Sequence, residues 1–295
     1  MFAEVLICSK GIEFNDLSSL RVCVGRLVEK GDYFFSHEMF AVFWKGGAMH
    51  VVVVMPTYNE SGNIGEMIDT LVEQVFPSME GTYFSLLIVD DNSPDGTGRV
   101  VALKAKQYNC VFLSTGEKKG LGYAVCRGMS YAMETLHADA VVEMDADFQH
   151  SPDSLKALVF ALQAGADCVV GSRYVSGAGA SLQWPKGRRW LSRIGNRIGA
   201  PLTGGSGVGD ITSGFRITRV SGVLDCINLD RIMAKAWYAY KIHLLYEVCQ
   251  CTNRVVEVPI VFMPRRCNQS KFNPVEIFKT LEVLWRIYRI YGYGH

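Results

Sequence analysis

The sequence predicts an α/β protein with a mostly parallel central sheet. Short apolar runs alternate with segments in which apolar residues recur at helical spacing, and several runs are followed directly by polar clusters. The chain has 295 residues, of which 49% are hydrophobic and 20% are charged, so it can bury a large core. Strands that alternate with helices of about 10–15 residues form parallel sheets with right-handed crossovers.

The predicted elements follow one another from Met49 onward. We expect strands at residues 51–55, 84–89, 111–113, 140–142, 167–170 and 255–262. We expect helices around residues 64–72, 98–107 and 121–133, after Ser151-Pro152, and at 275–291. Polar clusters follow the strand ends, so they should meet at the carboxyl edge of the sheet, where ligands bind in such folds.

The sequence divides into three regions. Residues 1–48 have scattered charge and no clear period, and we interpret them as an N-terminal extension of unknown role. Residues 49–274 hold the strands and the polar clusters and are the predicted working domain. Residues 275–295 are predicted to form a C-terminal amphipathic helical segment.

The composition excludes several classes of protein. A net charge of +1 provides no global field for a nucleic-acid partner. The nine cysteines are an odd number without zinc-like spacing, which indicates reduced, mostly buried thiols. No run approaches the roughly eighteen apolar residues of a membrane-spanning helix, so we expect a protein on the cytosolic side that is soluble or peripheral.

Asp145 and Asp147 directly follow the apolar run at 140–142. One residue apart, their side chains point the same way if the backbone is extended. Such a pair suits Mg²⁺ or Mn²⁺, which prefer oxygen ligands and bridge carboxylates to phosphates. The alternative is two solvated carboxylates that cap the next helix. Asp91 ends a different strand, and acids gathered without a cation or a donor ligand would repel one another, which favours a functional site.

Residues 182–200 form a basic segment without acidic residues. Arg188 and Ser192 are one turn apart on a predicted helix and can face the same anion. Trp184 and Trp190 lie among the arginines, which favours a membrane interface with phosphate headgroups. The alternative is a solvated basic helix.

Five motifs occur in the order found in one enzyme family. They are Pro56-Thr57-Tyr58-Asn59-Glu60, Asp90-Asp91-Asn92-Ser93-Pro94-Asp95-Gly96-Thr97, Asp145-Ala146-Asp147-Phe148-Gln149-His150, Gly171-Ser172-Arg173-Tyr174 and Thr212-Ser213-Gly214-Phe215-Arg216. Together they resemble the dolichol-phosphate mannose synthases, family 2 glycosyltransferases with the GT-A (Rossmann-like) nucleotide-sugar-binding fold. The resemblance covers about residues 50–290, and five ordered motifs are far more specific than any one of them.

The resemblance implies roles for individual residues. The residues expected to bind a GDP-sugar donor are Pro56, Tyr58, Glu60, Val89, Asp91, Asp145, Ala146, Arg173, Lys241, Arg265 and Lys271. Those expected at the metal are Asp147 and Gln149, those at the acceptor phosphate are Arg188 and Ser192, and those carrying catalysis are Asp147, Arg173 and Arg265. The chain departs from the family pattern at Asn268 and Leu245, which bear on loop closure and sugar specificity.

The resemblance also implies an activity. We expect an inverting transfer of mannose from GDP-mannose to a polyprenyl (dolichyl) monophosphate, at the cytosolic face of the endoplasmic reticulum or of a prokaryotic inner membrane. Two alternatives stay open: a polyprenyl-phosphate glucosyl- or GlcNAc-transferase that uses a UDP-sugar, and a catalytically inactive nucleotide-binding subunit. A nicotinamide oxidoreductase is disfavoured because no Gly-x-Gly-x-x-Gly follows the first strand.

The C-terminal segment has apolar residues at helical spacing and cations between them. Phe278, Leu281 and Trp285 belong to the apolar set, whereas Arg286 and Arg289 could meet anionic headgroups. We expect this helix to lie on a membrane surface, either directly or with a small membrane-anchoring subunit. The alternative is an amphipathic helix packed on its own domain.

Overall fold

The computed structural model describes residues 47–178, 207–263 and 275–291, together with Asn196. Its centre is a seven-stranded sheet. The strands are β1 (Met49–Thr57), β2 (Thr82–Asp90), β3 (Val111–Thr115), β4 (Ala140–Glu143), β5 (Cys168–Ser172), β6 (Arg216–Arg219) and β7 (Val255–Pro259).

The strands lie in the order β3-β2-β1-β4-β6-β5-β7. β6 runs antiparallel to β4 and β5, and the other paired strands are parallel. Along the central strand β1, Val52 and Val54 belong to one core cluster and Val51 and Val53 to another. Alternate side chains therefore fill opposite faces of the sheet, which explains why this strand appears in the sequence as an unbroken apolar run.

Helices cover the sheet and connect its strands. They are α1 (Ser61–Asp69), α2 (Thr97–Gln107), α3 (Leu121–Glu134), α4 (Ser154–Gln163), α5 (Tyr240–Cys251) and α6 (Val275–Tyr291). A π-helical turn at Thr70–Val75 and a 3₁₀ turn at Phe76–Ser78 continue α1. α3 approaches the sheet closely at Gly128, where a Cβ atom would lie 2.4 Å from Cγ1 of Val54.

The predicted fold class is confirmed, as are the six predicted strands and the helices predicted at 64–72, 98–107, 121–133, after Ser151-Pro152 and at 275–291, whereas the helix predicted in the basic segment lies outside the described residues. The strand predicted at 255–262 is shorter and ends at Pro259. β6 was missed, because residues 209–216 are rich in small residues that are typical of a loop. This strand has only four residues, and its sequence Arg-Ile-Thr-Arg contains no apolar run. Arg216 is nevertheless 2% exposed, since it pairs with a buried glutamate across the sheet.

The predicted C-terminal helix is confirmed as α6. Val283, Leu284 and Ile287 are buried on one face, so part of the helix packs on its own domain. On the other side, Phe278 and Trp285 are 71% and 56% exposed. Within the residues described, no helix combines the length and the hydropathy needed to cross a bilayer.

The described residues test two further predictions in part. The six cysteines at described positions are free thiols, but only Cys126 and Cys168 are buried, so the expectation of mostly buried thiols was wrong for this set. The predicted N-terminal extension lies outside the described residues apart from its last two positions, and its role stays a prediction.

Candidate active site

The polar clusters meet at the carboxyl edge of the sheet, where β1, β2 and β4 end side by side. Asp90, the last residue of β2, is 2% exposed. Its Oδ1 accepts hydrogen bonds from the hydroxyls of Thr57 and Ser93 at 3.0 and 2.6 Å, and its Oδ2 accepts from the Ser93 amide at 2.9 Å. Asp90 therefore fixes the loop after β2 to the end of β1.

Asp91 differs from its neighbour because its partner is a cation. The Nη2 atom of Arg127, from α3, lies 3.2 Å from Oδ1 of Asp91. Burial raises the pKa of Asp91 above its usual value, against the opposing effect of the Arg127 guanidinium. Gly116 makes room for this arginine, because a Cβ atom there would lie 2.0 Å from its Nη1. Sequence reasoning missed Arg127, which lies in a helix without a recognisable motif.

The other residues predicted to bind the nucleoside surround the same edge. The Nζ atom of Lys118 lies 3.6 Å from the centroid of the Tyr58 ring, a close cation–π contact. Glu60 is buried and accepts a hydrogen bond from the side-chain amide of Asn63 at 2.9 Å. Val89 is completely buried in the core, and its contact with a nucleoside stays a prediction.

The loop after β4 is held by His150. This residue is 3% exposed, and its ring stacks on Phe215 with a centroid distance of 4.9 Å. Its Nδ1 atom accepts a hydrogen bond from the Asp145 amide at 3.3 Å. Burial lowers the pKa of His150 to about 4, so the imidazole is neutral at pH 7 and can act as this acceptor. A β-bridge to Phe262 closes the loop from the other side.

Asp147 and Gln149 occupy this loop on either side of Phe148, whose φ angle is 60°. Asp147 is 2% exposed, and its Oδ1 accepts from the Gln149 amide at 3.0 Å. A carboxylate and a side-chain amide oxygen fit Mg²⁺ or Mn²⁺, which take remaining ligands from phosphates and water. The described residues contain no group of three or more His, Cys, Asp or Glu side chains suited to a metal.

Arg173, which follows β5, is paired with Asp210. Its Nε and Nη2 atoms donate to the two oxygens of Asp210 at 2.8 and 2.7 Å, and its amide donates at 3.0 Å. Asp210 is completely buried, and its own amide donates to Glu257 at 2.8 Å. Much of the Arg173 charge is thus balanced within the protein. Sequence reasoning missed Asp210, because it precedes the Thr212–Arg216 motif in a stretch of small residues that is typical of a loop.

The five residues of the Thr212–Arg216 motif each have a separate contact. Thr212 accepts a hydrogen bond from Nη2 of Arg173 at 2.8 Å, and the Ser213 hydroxyl donates to the Gly171 carbonyl at 2.6 Å. The remaining three residues are Gly214, which borders Lys241, Phe215, which stacks on His150, and Arg216, which pairs with Glu143. The motif therefore joins β5 to the loop after β4 rather than lying open to a ligand.

Lys241, at the start of α5, brings a cation to the loop after β4 that contains Asp145 and Asp147, which we call the acidic loop. It is 6% exposed, and its Nζ lies 3.9 Å from Oδ2 of Asp145, which is 32% exposed at its side chain. This separation exceeds that of a direct hydrogen bond. Leu245, one turn further along α5, is buried in the core, so the departure from the family pattern there is filled by apolar packing.

Several predicted site residues lie outside the described residues. They are Arg188, Ser192, Arg265 and Lys271, and their placement relative to the acidic loop stays a prediction. The structure brings together Tyr58, Asp91 and Lys118 at one end of the edge, and Asp145, Asp147 and Lys241 at the other.

Comparison with known proteins supplies the family context. The protein-family model described as "Glycosyl transferase family 2" matches residues 52–225 of this chain. Undecaprenyl-phosphate mannosyltransferase of Micrococcus luteus is 36% identical over 231 residues, which cover 76% of this chain and 88% of that protein. Polyprenol monophosphomannose synthase of Mycolicibacterium smegmatis is 38% identical over 233 residues, covering 78% and 83%.

Solved structures share the fold at low sequence identity. Mannosyl-3-phosphoglycerate synthase from Rubrobacter xylanophilus matches with a TM-score of 0.58 and 17% identity, over 82% of this chain and 74% of that chain. Glucosyl-3-phosphoglycerate synthase from Mycobacterium tuberculosis in complex with Mg²⁺ and UDP matches with a TM-score of 0.55 and 19% identity, over 86% and 84%. At these identities the similarity establishes the fold alone.

Proposed function

The chain belongs to glycosyltransferase family 2, and we propose that it is a metal-dependent, inverting mannosyltransferase. It transfers mannose from GDP-mannose to a polyprenyl monophosphate such as dolichyl phosphate, and the product is a β-linked lipid-phosphate sugar. The names of both relatives combine mannose with a polyprenyl lipid, which supports this choice of sugar and acceptor.

The main support for the proposal lies at the end of β4, where carboxylate oxygens lie close to the side chains of cations. Asp145 and Asp147 belong to the loop after this strand, and Lys241 lies 3.9 Å from Asp145. Arg173 lies near the same loop, since its guanidinium is 5.5 Å from the centroid of the Phe262 ring, which contacts the His150 ring at 5.7 Å. A departing nucleoside diphosphate accumulates negative charge, which cations fixed in this way stabilise.

No protein base is required for this reaction. The acceptor phosphate is already an anion at pH 7, so its oxygen can attack the anomeric carbon directly. His150 agrees with this requirement, because it is buried and uses Nδ1 to accept from Asp145. In a single displacement the new C–O bond forms as the bond to GDP breaks, and GDP leaves with the electron pair. An α-linked donor thus gives a β-linked product.

The chain's own residues orient the reactants. Asp147 and Gln149 would hold Mg²⁺ or Mn²⁺, which when bound supplies positive charge beside the diphosphate. Arg173, Lys241 and Arg265 would align the donor phosphates for attack, with Lys271 as a further cation. 

At the nucleoside end of the site, we expect Asp91 to contact the base. A carboxylate such as Asp91 can accept two parallel N–H bonds from guanine, whereas uracil offers one N–H. Pro56, Tyr58 and Glu60 border the same edge, at the end of β1.

The acceptor phosphate is assigned to Arg188 and Ser192 from the sequence. A hydrogen bond between a charged group and an anion contributes about 1.5–3 kcal/mol. Arg188→Ala should therefore raise the acceptor KM by roughly ten- to a hundredfold and leave the donor KM unchanged. Arg189→Ala is the control, because it removes the same charge from another face of the predicted helix. Acceptor kinetics equal to wild type in Arg188→Ala would exclude this role.

The exposed face of α6 is proposed to bind the cytosolic surface of a membrane. We expect Phe278→Ser combined with Trp285→Ser to abolish flotation with anionic liposomes. Leu103→Ser combined with Phe160→Ser is the control, since it removes two apolar side chains from α2 and α4 that are also more than half exposed. Equal flotation of both double variants would contradict the assignment. If the wild-type protein floats only when a small membrane subunit is present, an anchoring partner and not direct binding holds it at the membrane.

The whole proposal is tested by a transfer assay with labelled donors. The purified protein is incubated with polyprenyl phosphate and either GDP-mannose or UDP-glucose, with and without EDTA. We expect a β-linked lipid-phosphate mannose from GDP-mannose, lost in EDTA and restored by Mn²⁺. Transfer from UDP-glucose alone would identify a glucosyltransferase, and binding of nucleotide without transfer would identify an inactive subunit.

A further inference from the structure

Three buried polar side chains lie beneath the acidic loop. Glu143, Arg216 and Tyr240 are between 1% and 3% exposed and come from the end of β4, the start of β6 and the start of α5. Nε and Nη2 of Arg216 donate to the two oxygens of Glu143 at 3.0 and 3.1 Å, and the Tyr240 hydroxyl donates to Glu143 at 3.1 Å. A buried ion pair is a poor source of stability because both charges lose their water. We therefore consider a functional role for the Arg216–Glu143 pair.

This buried cluster is connected to Lys241 through the main chain. Nη1 of Arg216 donates to the Lys241 carbonyl at 2.8 Å, and Tyr240 immediately precedes Lys241 in α5. Glu143 lies two residues before Asp145 in the chain. The Arg216 guanidinium therefore ties the strand that leads into the acidic loop to the helix turn that carries the cation.

The side chain of Lys241 is confined on its other side by Gly214. A Cβ atom at position 214 would lie 1.9 Å from Nζ and 2.6 Å from Cε of the lysine. A glycine is thus required for the ammonium to occupy its present place. Lysine is a flexible point charge, so its position has to be imposed by its surroundings.

Of the two cations in this region, Lys241 is the one that faces the acidic loop. Glu143 and Arg216 neutralise one another, whereas the Lys241 ammonium stands 3.9 Å from Asp145, too far for a direct hydrogen bond. We propose that Glu143, Arg216 and Tyr240 are positioning residues that, together with Gly214, hold the Lys241 ammonium where the donor diphosphate binds. The inference rests on the proposed function, which assigns Lys241 to the donor phosphates.

The first test is a double-mutant cycle. Tyr240→Phe removes one donor from Glu143 and keeps the ring, and we expect a roughly tenfold loss of kcat/KM for the donor. Lys241→Met should lose about a hundredfold. If Tyr240 acts through Lys241, the double variant is no worse than Lys241→Met alone, whereas losses that multiply would overturn the inference. Tyr83→Phe, at the opposite edge of the sheet, is the control and should match wild type.

The second test uses two glycines of one loop. Gly214→Ala meets only the movable end of a lysine side chain, so the fold should tolerate it while the ammonium is displaced. We expect a melting temperature close to wild type, a donor KM raised about tenfold and no further loss in a Lys241→Met background. Gly209→Ala is the matched control, since its Cβ atom meets Glu257 at an ordinary 3.5 Å. Wild-type donor kinetics in Gly214→Ala would refute the inference.

The positioning role and the proposed function are refuted by different results. If Lys241→Met itself leaves donor kinetics unchanged, the assignment of Lys241 in the proposed function is wrong and the positioning role falls with it. If Lys241→Met is impaired but both cycles are multiplicative, the proposed function stands and only the positioning role is refuted.

Discussion

The strand ends of β2 and β4 both carry acidic residues, yet the two sets are held differently. After β2, the oxygens of Asp90 accept from three donors of the protein's own loop and strand. After β4, Asp145 faces the ammonium of Lys241, and Asp147 lies beside Gln149 in a loop closed by His150. Asp90 therefore shapes the loop after β2, whereas Asp145, which faces a cation, belongs to a loop that is suited to a charged ligand.

Among the variants that distinguish the ends of β2 and β4, Asp147→Asn should have the largest effect on transfer. Losing this carboxylate weakens the metal that balances the departing diphosphate, so transfer should fall by about a hundredfold or more. The rate is measured at saturating Mn²⁺, with thermal unfolding as the check that the fold is intact. Unchanged turnover would place the metal, or the chemistry, elsewhere.

Asp91→Asn should act on donor binding rather than on transfer. One hydrogen bond between the carboxylate and the guanine is lost or reversed, so the Kd for GDP should rise by roughly ten- to a hundredfold. Calorimetric titration with GDP and with UDP measures the effect for each base. A larger loss for UDP than for GDP would favour the uridine-sugar donor.

Asp90→Asn should affect stability rather than binding. The new side-chain amide would face the Ser93 N–H that now donates to Oδ2, and the buried mismatch should cost about 1–3 kcal/mol in the free energy of unfolding. The control is Asp153→Asn, whose exposed ion pair with Lys156 should contribute less than about 1 kcal/mol. Urea unfolding compares the three proteins. An Asp90→Asn protein of full stability with weakened GDP binding would place Asp90 in the site.

Asp95 gives the smallest effect, which depends on pH. Burial alone would raise the pKa of Asp95, but hydrogen bonds from Thr97 and Ser61 lower it from 3.8 to about 2. A carboxyl whose pKa is lower in the folded chain stabilises the fold above its unfolded pKa. This contribution should therefore be present above pH 4 and lost as the pH falls through 2. Melting temperatures of wild type and Asp95→Asn should converge over that window, and a constant difference would contradict the assignment.

Local patterns were sufficient to predict most of the fold and part of the site. The strand run at 51–55 and the acids after 140–142 are signals within a few residues, and the family motifs point to the same edge. The pairs Arg127–Asp91, Arg173–Asp210 and Arg216–Glu143 join residues 36, 37 and 73 positions apart. Their partners are chosen by the packing of separate elements, so neither periodicity nor spacing could reveal them.

The most direct test of the division between the two strand ends is the coupling between metal and nucleotide. GDP is titrated into wild type, Asp91→Asn and Asp147→Asn, each with and without Mn²⁺. If Asp147 holds the metal against the diphosphate, Mn²⁺ strengthens GDP binding by a similar factor, in the range of about 5–150, in wild type and Asp91→Asn. In Asp147→Asn the factor should fall to one, while the affinity measured without metal stays close to wild type. An undiminished factor in Asp147→Asn would contradict the proposed metal site.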